Sequence, residues 1–297
     1  MKIGYIGLGK MGEGMVLRLL EKGWDVVAYN RSKDPIKEVE KNGAVGAYSL
    51  RELVDKLETP RVIWLMVSHQ AVDAVLEELV PLLSDGDVLI DGGNSNYKET
   101  LKRSKELKEK NIHFLDAGTS GGPRGARNGA CVMVGGERDL FDRYEKLFTD
   151  ISADKAYGYM GRSGSGHFVK MVHNGIEYGM MQALGEGFEV LKKSEFNLNL
   201  TEVVKIYNNK SVIESRLTNW LQSAFQKHSE DLNGISGKVS HSGEGLWTVE
   251  AANELGVPLP IIEGSLKFRE ESQNNPSYTG QVLSALRNEF GGHDVKN

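Results

Sequence analysis

Apolar residues come in short blocks broken by glycine through the first half of the chain, and at helical spacing through the second. Residues 2–6 form a buried-strand pattern that runs into Gly7-Leu8-Gly9-Lys10-Met11-Gly12, followed by an apolar-periodic helix through Met15 to Leu20 that Gly23 closes. Further strands are predicted at 25–29, 62–67, 88–91, 112–116, 131–134 and 156–159, with helices at 71–83 and 139–148. Strands alternating with helices imply an α/β fold with a parallel, doubly wound Rossmann-type sheet. Residues 161–166 carry three glycines and make a natural boundary. Beyond Leu191 the pattern predicts only helices, at 201–207, 215–226, 247–255 and 262–269. The expected organisation is a dinucleotide-binding domain over residues 1–160 and an all-helical substrate and oligomerisation domain over 161–297.

The glycine-rich turn has a mechanical reading. Gly7 permits a tight turn, Gly9 lets the chain approach a pyrophosphate, and Gly12 lets the helix pack on the strand, leaving N–H groups aimed at phosphate. Leu8, Lys10 and Met11 complete this candidate cofactor turn. The second strand ends at Asn30-Arg31-Ser32, about 18 residues past Gly12, where an NAD-binding fold usually carries a carboxylate for the ribose. None is present. Arg31 with Asn30 and Ser32 suits a 2'-phosphate, so NADP is expected, with NAD as the alternative. Residues Met66, Val67, Ser68, His69 and Asn94 follow strands at the edge where ligands bind and should face the cofactor.

The stretch 164–182 predicts a helix whose one face carries Lys170, His173, Asn174, Glu177 and Met181. The plain alternative is a solvated face. Such a face is normally filled with good helix formers, whereas His173 and Asn174 stand here beside Gly175 and Gly179, which cost helix stability. A lysine within two turns of a carboxylic acid can perform two different proton transfers on one substrate, so Lys170 is the candidate base and Glu177 the candidate acid. The Gly118 to Gly125 segment offers N–H groups and the Ser120 hydroxyl as a cradle for a carboxylate or hydroxyl.

A net charge of -5 argues against non-specific nucleic-acid binding, and 39% hydrophobic with 26% charged residues describes an ordinary globular chain. No apolar run approaches the roughly 18 residues a membrane span needs. The N-terminus lacks a secretory pattern, so a cytoplasmic location is expected. One cysteine, Cys131, excludes an internal disulfide and a cysteine-based metal cage, and no metal is expected.

Together these motifs resemble the 6-phosphogluconate dehydrogenase family, decarboxylating, of the short-chain bacterial type within the β-hydroxyacid dehydrogenase superfamily. The resemblance rests on the glycine turn, Asp91-Gly92-Gly93-Asn94-Ser95, Ser120-Gly121-Gly122, the segment 166–178, Gly243-Glu244-Gly245-Leu246-Trp247-Thr248, and Phe290-Gly291-Gly292-His293. It implies Lys170 and Glu177 as general base and acid, with Asn94, Ser120, Gly121, Gly122, His173 and Asn174 around the carboxylate and hydroxyls of a sugar acid. Tyr178, Arg269, Arg287 and His293 are implied to hold substrate, the last two from the neighbouring subunit of a homodimer or homotetramer, although a basic pair near a terminus reads by itself as solvated. The implied reaction is oxidative decarboxylation of 6-phosphogluconate to ribulose 5-phosphate, as in the pentose phosphate pathway or gluconate utilisation. The rival is a non-decarboxylating enzyme of the 3-hydroxyisobutyrate dehydrogenase or glyoxylate reductase kind. One departure stands out: longer family members carry a lysine and a threonine against the substrate phosphate where this chain has Ser242 and Glu244. The grip must then lean on Tyr178, Arg269 and Arg287, with Lys210 or Ser211 as further candidates.

Overall fold

The computed structural model describes residues 1–295. It opens with β1 (Lys2–Ile6), α1 (Lys10–Glu21), β2 (Asp25–Tyr29), α2 (Lys33–Glu40), β3 (Val45–Ala47), α3 (Leu50–Asp55), β4 (Val62–Leu65) and α4 (Val72–Leu79). There follow β5 (Val88–Asp91), α5 (Tyr97–Lys108), β6 (His113–Ser120), α6 (Gly122–Asn128), β7 (Ala130–Gly135), α7 (Arg138–Arg143), α8 (Glu145–Ile151) and β8 (Ser152–Gly161). The strands form one sheet in the order β3-β2-β1-β4-β5-β6-β7-β8. Apolar side chains cover both faces: Ile3, Tyr5, Trp64 and Ile90 pack on one side with Met15 and Phe148, and Ile6, Val27, Leu65 and Leu89 on the other with Leu53 and Leu76. Burial on both faces is why these strands read as continuous apolar runs rather than alternating ones.

All neighbouring strands are parallel except β6 and β7. That reversal departs from the all-parallel expectation. Only residues 121–129 separate the two strands, and a parallel crossover needs about a dozen residues or more to return the chain to its starting edge. Other boundaries move for local reasons. The predicted strand 112–116 continues to Ser120 because Ala117 to Ser120 pair with Val134 to Cys131. The predicted helix 71–83 keeps its α form only over Val72–Leu79, and Pro81 falls in the 3-10 turn that follows. The predicted helix 139–148 is two helices that meet at Tyr144.

The long helix α9 (Ser165–Lys193) comes next, followed by α10 (Leu200–Tyr207), α11 (Arg216–His228), α12 (Glu244–Leu255), α13 (Pro260–Ser272) and α14 (Tyr278–Gly291). By compactness the chain divides within α9, into one unit ending at Lys170 and a second beginning at Met171. In the second unit Met181 and Phe188 of α9 share a core with Leu221 and Phe225 of α11 and with Val282, Leu283 and Leu286 of α14. No described helix is long and apolar enough to cross a membrane.

Candidate active site

The glycines of the first turn each answer a steric demand. Gly7 has φ +102, and a Cβ there would lie 2.4 Å from the Met66 carbonyl oxygen; one on Gly12 would lie 1.9 Å from that of Gly7. A Cβ on Gly9 would meet nothing within 4 Å, so this glycine borders open space. Gly9 caps α1 without a side-chain acceptor, which leaves the early N–H groups of the helix for an anion. A dinucleotide pyrophosphate fits this cradle. Asn30 serves the turn rather than standing clear of it: its Oδ1 accepts from Leu8 N–H at 3.0 Å, and its Nδ2 donates to Ser32 Oγ at 2.9 Å. Leu8 is buried, Lys10 exposed and Met11 half-buried; Arg31 and Ser32 are exposed beyond the turn. Met66 and Val67, just past β4, are half-buried and Ser68 is exposed.

The next turn of the same unit is shaped by Asp91. Its carboxylate accepts Gly93 N–H at 3.1 Å and the Ser95 hydroxyl at 2.6 Å, which sets the loop carrying half-buried Asn94. Ser120 ends β6, and Gly121 (φ +122) and Gly122 (φ +61) turn the chain into α6. Lys170 is 4% exposed and packs on β6: a Cβ on Gly118 would lie 2.4 Å from the lysine Cβ. Gly118 lies inside the glycine-rich stretch 118–125, but its reason to be glycine is this contact.

Further along α9, His173 Nδ1 lies 3.1 Å from Asn174 Oδ1 and 3.8 Å from Glu177 Oε2, and all three residues are half-buried. Apolar Ile176 and Met180 on the same helix are 52% and 46% exposed. The usual allocation of polar and apolar faces is therefore inverted in this stretch. Tyr178 is held from two sides. A Cβ on Gly245 would touch its ring at 2.5 Å, and the Arg269 guanidinium carbon sits 3.5 Å from the ring centroid. Arg269, 1% exposed, donates from Nη1 to the Ser240 carbonyl at 3.2 Å, and Arg287 donates from Nη1 to the Ser240 hydroxyl at 3.0 Å. A cavity of about 300 Å³ lined by Lys238, Ser240, Gln273, Ser284, Arg287 and Asp294 lies beside Arg287. Burial pulls Arg269 down to about 10, offset in part by Tyr178 and reinforced by Arg287; burial likewise lowers Arg287 and raises the Tyr178 phenol. Two guanidiniums bound to one residue around a buried phenol are a donor set that can take an anion.

Two family profiles cover the chain: residues 2–161 match the NAD binding domain of 6-phosphogluconate dehydrogenase, and residues 166–294 match the 6-phosphogluconate dehydrogenase C-terminal domain. The chain belongs to the 6-phosphogluconate dehydrogenase family. It is 48% identical over 293 residues to YqeC of Bacillus subtilis, with 99% of this chain and 98% of the relative covered. It is 42% identical over 297 residues to the NAD(+)-dependent, decarboxylating 6-phosphogluconate dehydrogenase of Haloferax volcanii, covering 99% and 98%. Among solved structures, the Plasmodium falciparum 6-phosphogluconate dehydrogenase, described in complex with NADP+ and with 6-phosphogluconate, superposes with a TM-score of 0.81 at 32% identity. The match covers 93% of this chain and 62% of the Plasmodium chain. A nicotinamide dinucleotide is the cofactor, and the family's substrate is a small sugar acid.

Within this family member the departures have identifiable places. Ser242 lies near the Tyr178 hydroxyl, and Glu244, 5% exposed in the first turn of α12, adds its charge to the surroundings of Arg269 and Arg287. Lys210 is exposed, its N–H bonded to Glu214, and the Ser211 hydroxyl is given to the Tyr207 carbonyl, so the structure gives both candidates local partners. Within its own chain Arg287 has a fixed place. Val282, Leu283, Ala285 and Leu286 bury α14 in the core of its own unit, which holds Arg287 to Ser240 of the same chain. His293 folds back on its own tail, its ring 6.2 Å from that of Phe290 and its carbonyl bonded by Asn288 Nδ2. Ser240 was not read from the sequence, because one serine between Val239 and His241 carries no signal before its two arginines are placed.

Proposed function

We propose that this chain oxidises 6-phospho-D-gluconate to ribulose 5-phosphate and carbon dioxide with NADP. The observation that carries this reading is a single helix, α9, bearing a buried amine at Lys170 and a carboxylic acid at Glu177, in a chain of the 6-phosphogluconate dehydrogenase family. Nicotinamide, when bound, supplies the acceptor for a hydride from C3. Lys170 accepts the proton of the C3 hydroxyl as that hydride leaves, giving a 3-keto acid. The ketone then takes up the electron pair left at C2 when the carboxylate departs as carbon dioxide, and protonated Lys170 donates to the developing enolate oxygen. Glu177 delivers a proton to the same carbon, now C1 of the enediol, while Lys170 takes back the hydroxyl proton.

Asn94, Ser120, Gly121 and Gly122 are assigned to the sugar acid's carboxylate and hydroxyls, with His173 and Asn174. Arg269, Arg287 and Tyr178 are assigned to the phosphate, on the shared contact of the two arginines with Ser240 and the stacking of Arg269 on Tyr178. Gly7 to Gly12 are assigned to the pyrophosphate and Arg31 with Ser32 to the 2'-phosphate. Asn30 holds their loop. The test is a panel of 6-phosphogluconate, gluconate and small 3-hydroxy acids, each assayed with NADP and NAD while carbon dioxide is trapped. The expected result is turnover of 6-phosphogluconate with stoichiometric carbon dioxide. Oxidation without carbon dioxide would favour the hydroxyisobutyrate rival, and a tenfold preference for NAD, about 1.4 kcal/mol, would remove the role given to Arg31.

A further inference from the structure

The first turn of α9 is held by buried polar groups that none of the steps above uses. Asp116, on β6 and fully buried, accepts Gly164 N–H at Oδ1 (2.7 Å) and His167 N–H at Oδ2 (2.9 Å). The His167 N–H is one of the four that a helix start leaves without a partner, and a carboxylate there also meets the positive end of the helix dipole. A Cβ on Gly135 would lie 2.7 Å from Asp116 Oδ1, so the neighbouring strand must be bare at that point.

The His167 ring, 1% exposed, has Nδ1 2.7 Å from the Thr100 hydroxyl and Nε2 3.2 Å from the Asp91 carbonyl oxygen. A carbonyl only accepts, so Nε2 carries a ring hydrogen, and in the neutral ring Nδ1 receives the Thr100 proton. The competing acceptor for that proton, the Asn96 carbonyl, is more distant at 3.2 Å. Asp91 is also the residue whose carboxylate fixes the loop of Asn94. One aspartate thus ties the Asn94 loop by its side chain and the start of α9 by its main chain.

We propose that Asp116, His167 and Thr100 are positioning residues that set the height and rotation of α9 so that Lys170, one turn beyond His167, stands at a fixed point against Gly118 and in register with Asn94. A buried carboxylate and imidazole are costly ways to hold a helix end, and apolar packing would hold it with less penalty. What directional bonds add is angular precision. Lys170 needs it, because its Cβ already lies too close to Gly118 for any side chain there, and a misplacement of about 1 Å can cost a hundredfold in rate.

The inference rests on reading Lys170 as the base, and the experiment separates the two. Thr100→Val keeps the shape of the side chain and removes the donor to His167; Thr100→Ser restores the donor. With 6-phosphogluconate, the valine variant is expected to lose about tenfold or more in kcat, with the KM for dinucleotide within twofold, and the serine variant to recover most of the loss. Independently of turnover, labelling of Lys170 in the free protein by a small amine-reactive reagent, read by mass spectrometry, is expected to quicken several-fold in Thr100→Val and not in Thr100→Ser. Unchanged kcat and labelling in the valine variant, or a serine variant as impaired as the valine one, would overturn the proposal. If the wild-type protein turned over no sugar acid, the assignment of Lys170 as base would fail, and the labelling rates would still decide the positioning.

Discussion

Lys170 and Arg269 both carry buried basic groups, 4% and 1% exposed, and the chain holds them by opposite means. Lys170 is fixed through its stem, packed on a strand that gave up a side chain at Gly118 to admit it. Arg269 is fixed through its head, stacked on Tyr178 and donating to Ser240. The difference follows from what each group can do. An amine in a desolvated place exchanges its proton readily, while a guanidinium keeps its charge near neutral pH and offers a rigid fork to an oxyanion. Stem packing suits the proton exchange proposed for Lys170, and head-group stacking suits a group that keeps its charge. The contrast leads to a separation of effects: damage at Lys170 should fall on kcat, and damage at Arg269 on KM.

The largest expected effect is at the amine. Lys170→Ala should lose about 10²- to 10⁴-fold in kcat, the range for a positioned acid or base, with KM for 6-phosphogluconate changing far less. Steady-state kinetics decide this, and near-normal turnover would remove Lys170 from the chemistry. Next comes its partner on the helix. Glu177→Gln should still oxidise and release carbon dioxide but slow the final protonation, by about a hundredfold. Comparing the rate of carbon dioxide release with that of ribulose 5-phosphate formation reads this directly, and equal, undiminished rates would count against an acid role.

At the guanidinium the expectation changes kind. Arg269→Met should raise KM for 6-phosphogluconate by about 10- to 100-fold, the worth of one or two charge-assisted hydrogen bonds, and leave kcat within a few-fold of wild type. It should also stabilise the fold. Burial depresses Arg269 from 12.5 to about 10, so below that pH the folded state carries a desolvation cost on the order of 3 kcal/mol that methionine does not. A higher Tm with a weaker phosphate grip is the signature, and a lower Tm would mean that stacking on Tyr178 outweighs the desolvation.

How far the sequence reveals this arrangement depends on whether a residue's duty is local. The glycine turn was legible because Gly7 and Gly12 satisfy contacts within their own strand-turn-helix unit. The face of α9 was legible because helical spacing alone brings Lys170, His173, Asn174 and Glu177 together. By contrast α5 was missed. Its inward positions are Thr100, Arg103 and Leu107, and Arg103 occupies a core place only because Asp73 and Asp91 receive it from elsewhere in the chain. A stripe with one apolar residue in three has no hydrophobic period. The reversal at β7 was missed for a related reason: Ala130 to Gly135 is a run of small and apolar residues that fits either direction, and only the short link before it decides. Asp116 looked like the end of a strand, since its partners Gly164 and His167 lie about fifty residues on.

The smallest expected effect, and the one that sharpens the contrast most finely, is in alkaline solution. A base whose pKa is lowered by folding is fully charged below the lowered value, so the grip of Arg269 should hold constant up to about pH 9 and fade as pH passes about 10. Arg287, also lowered by burial, pushes the same way. Tyr178 is shifted upward, so its phenol remains a neutral donor at the start of that window and does not mask the change. Glu177 and Glu244 add their charges around both arginines. The quantity to measure is the ratio of KM for gluconate to KM for 6-phosphogluconate between pH 8 and 11, because effects on Lys170 or on the dinucleotide cancel in it. The ratio should fall by several-fold above pH 10 in the wild-type enzyme and stay flatter in Arg269→Met. A ratio that stayed constant in the wild type would mean that Arg269 keeps its proton throughout, and that the stacked guanidinium is even less a titrating group than its burial indicates.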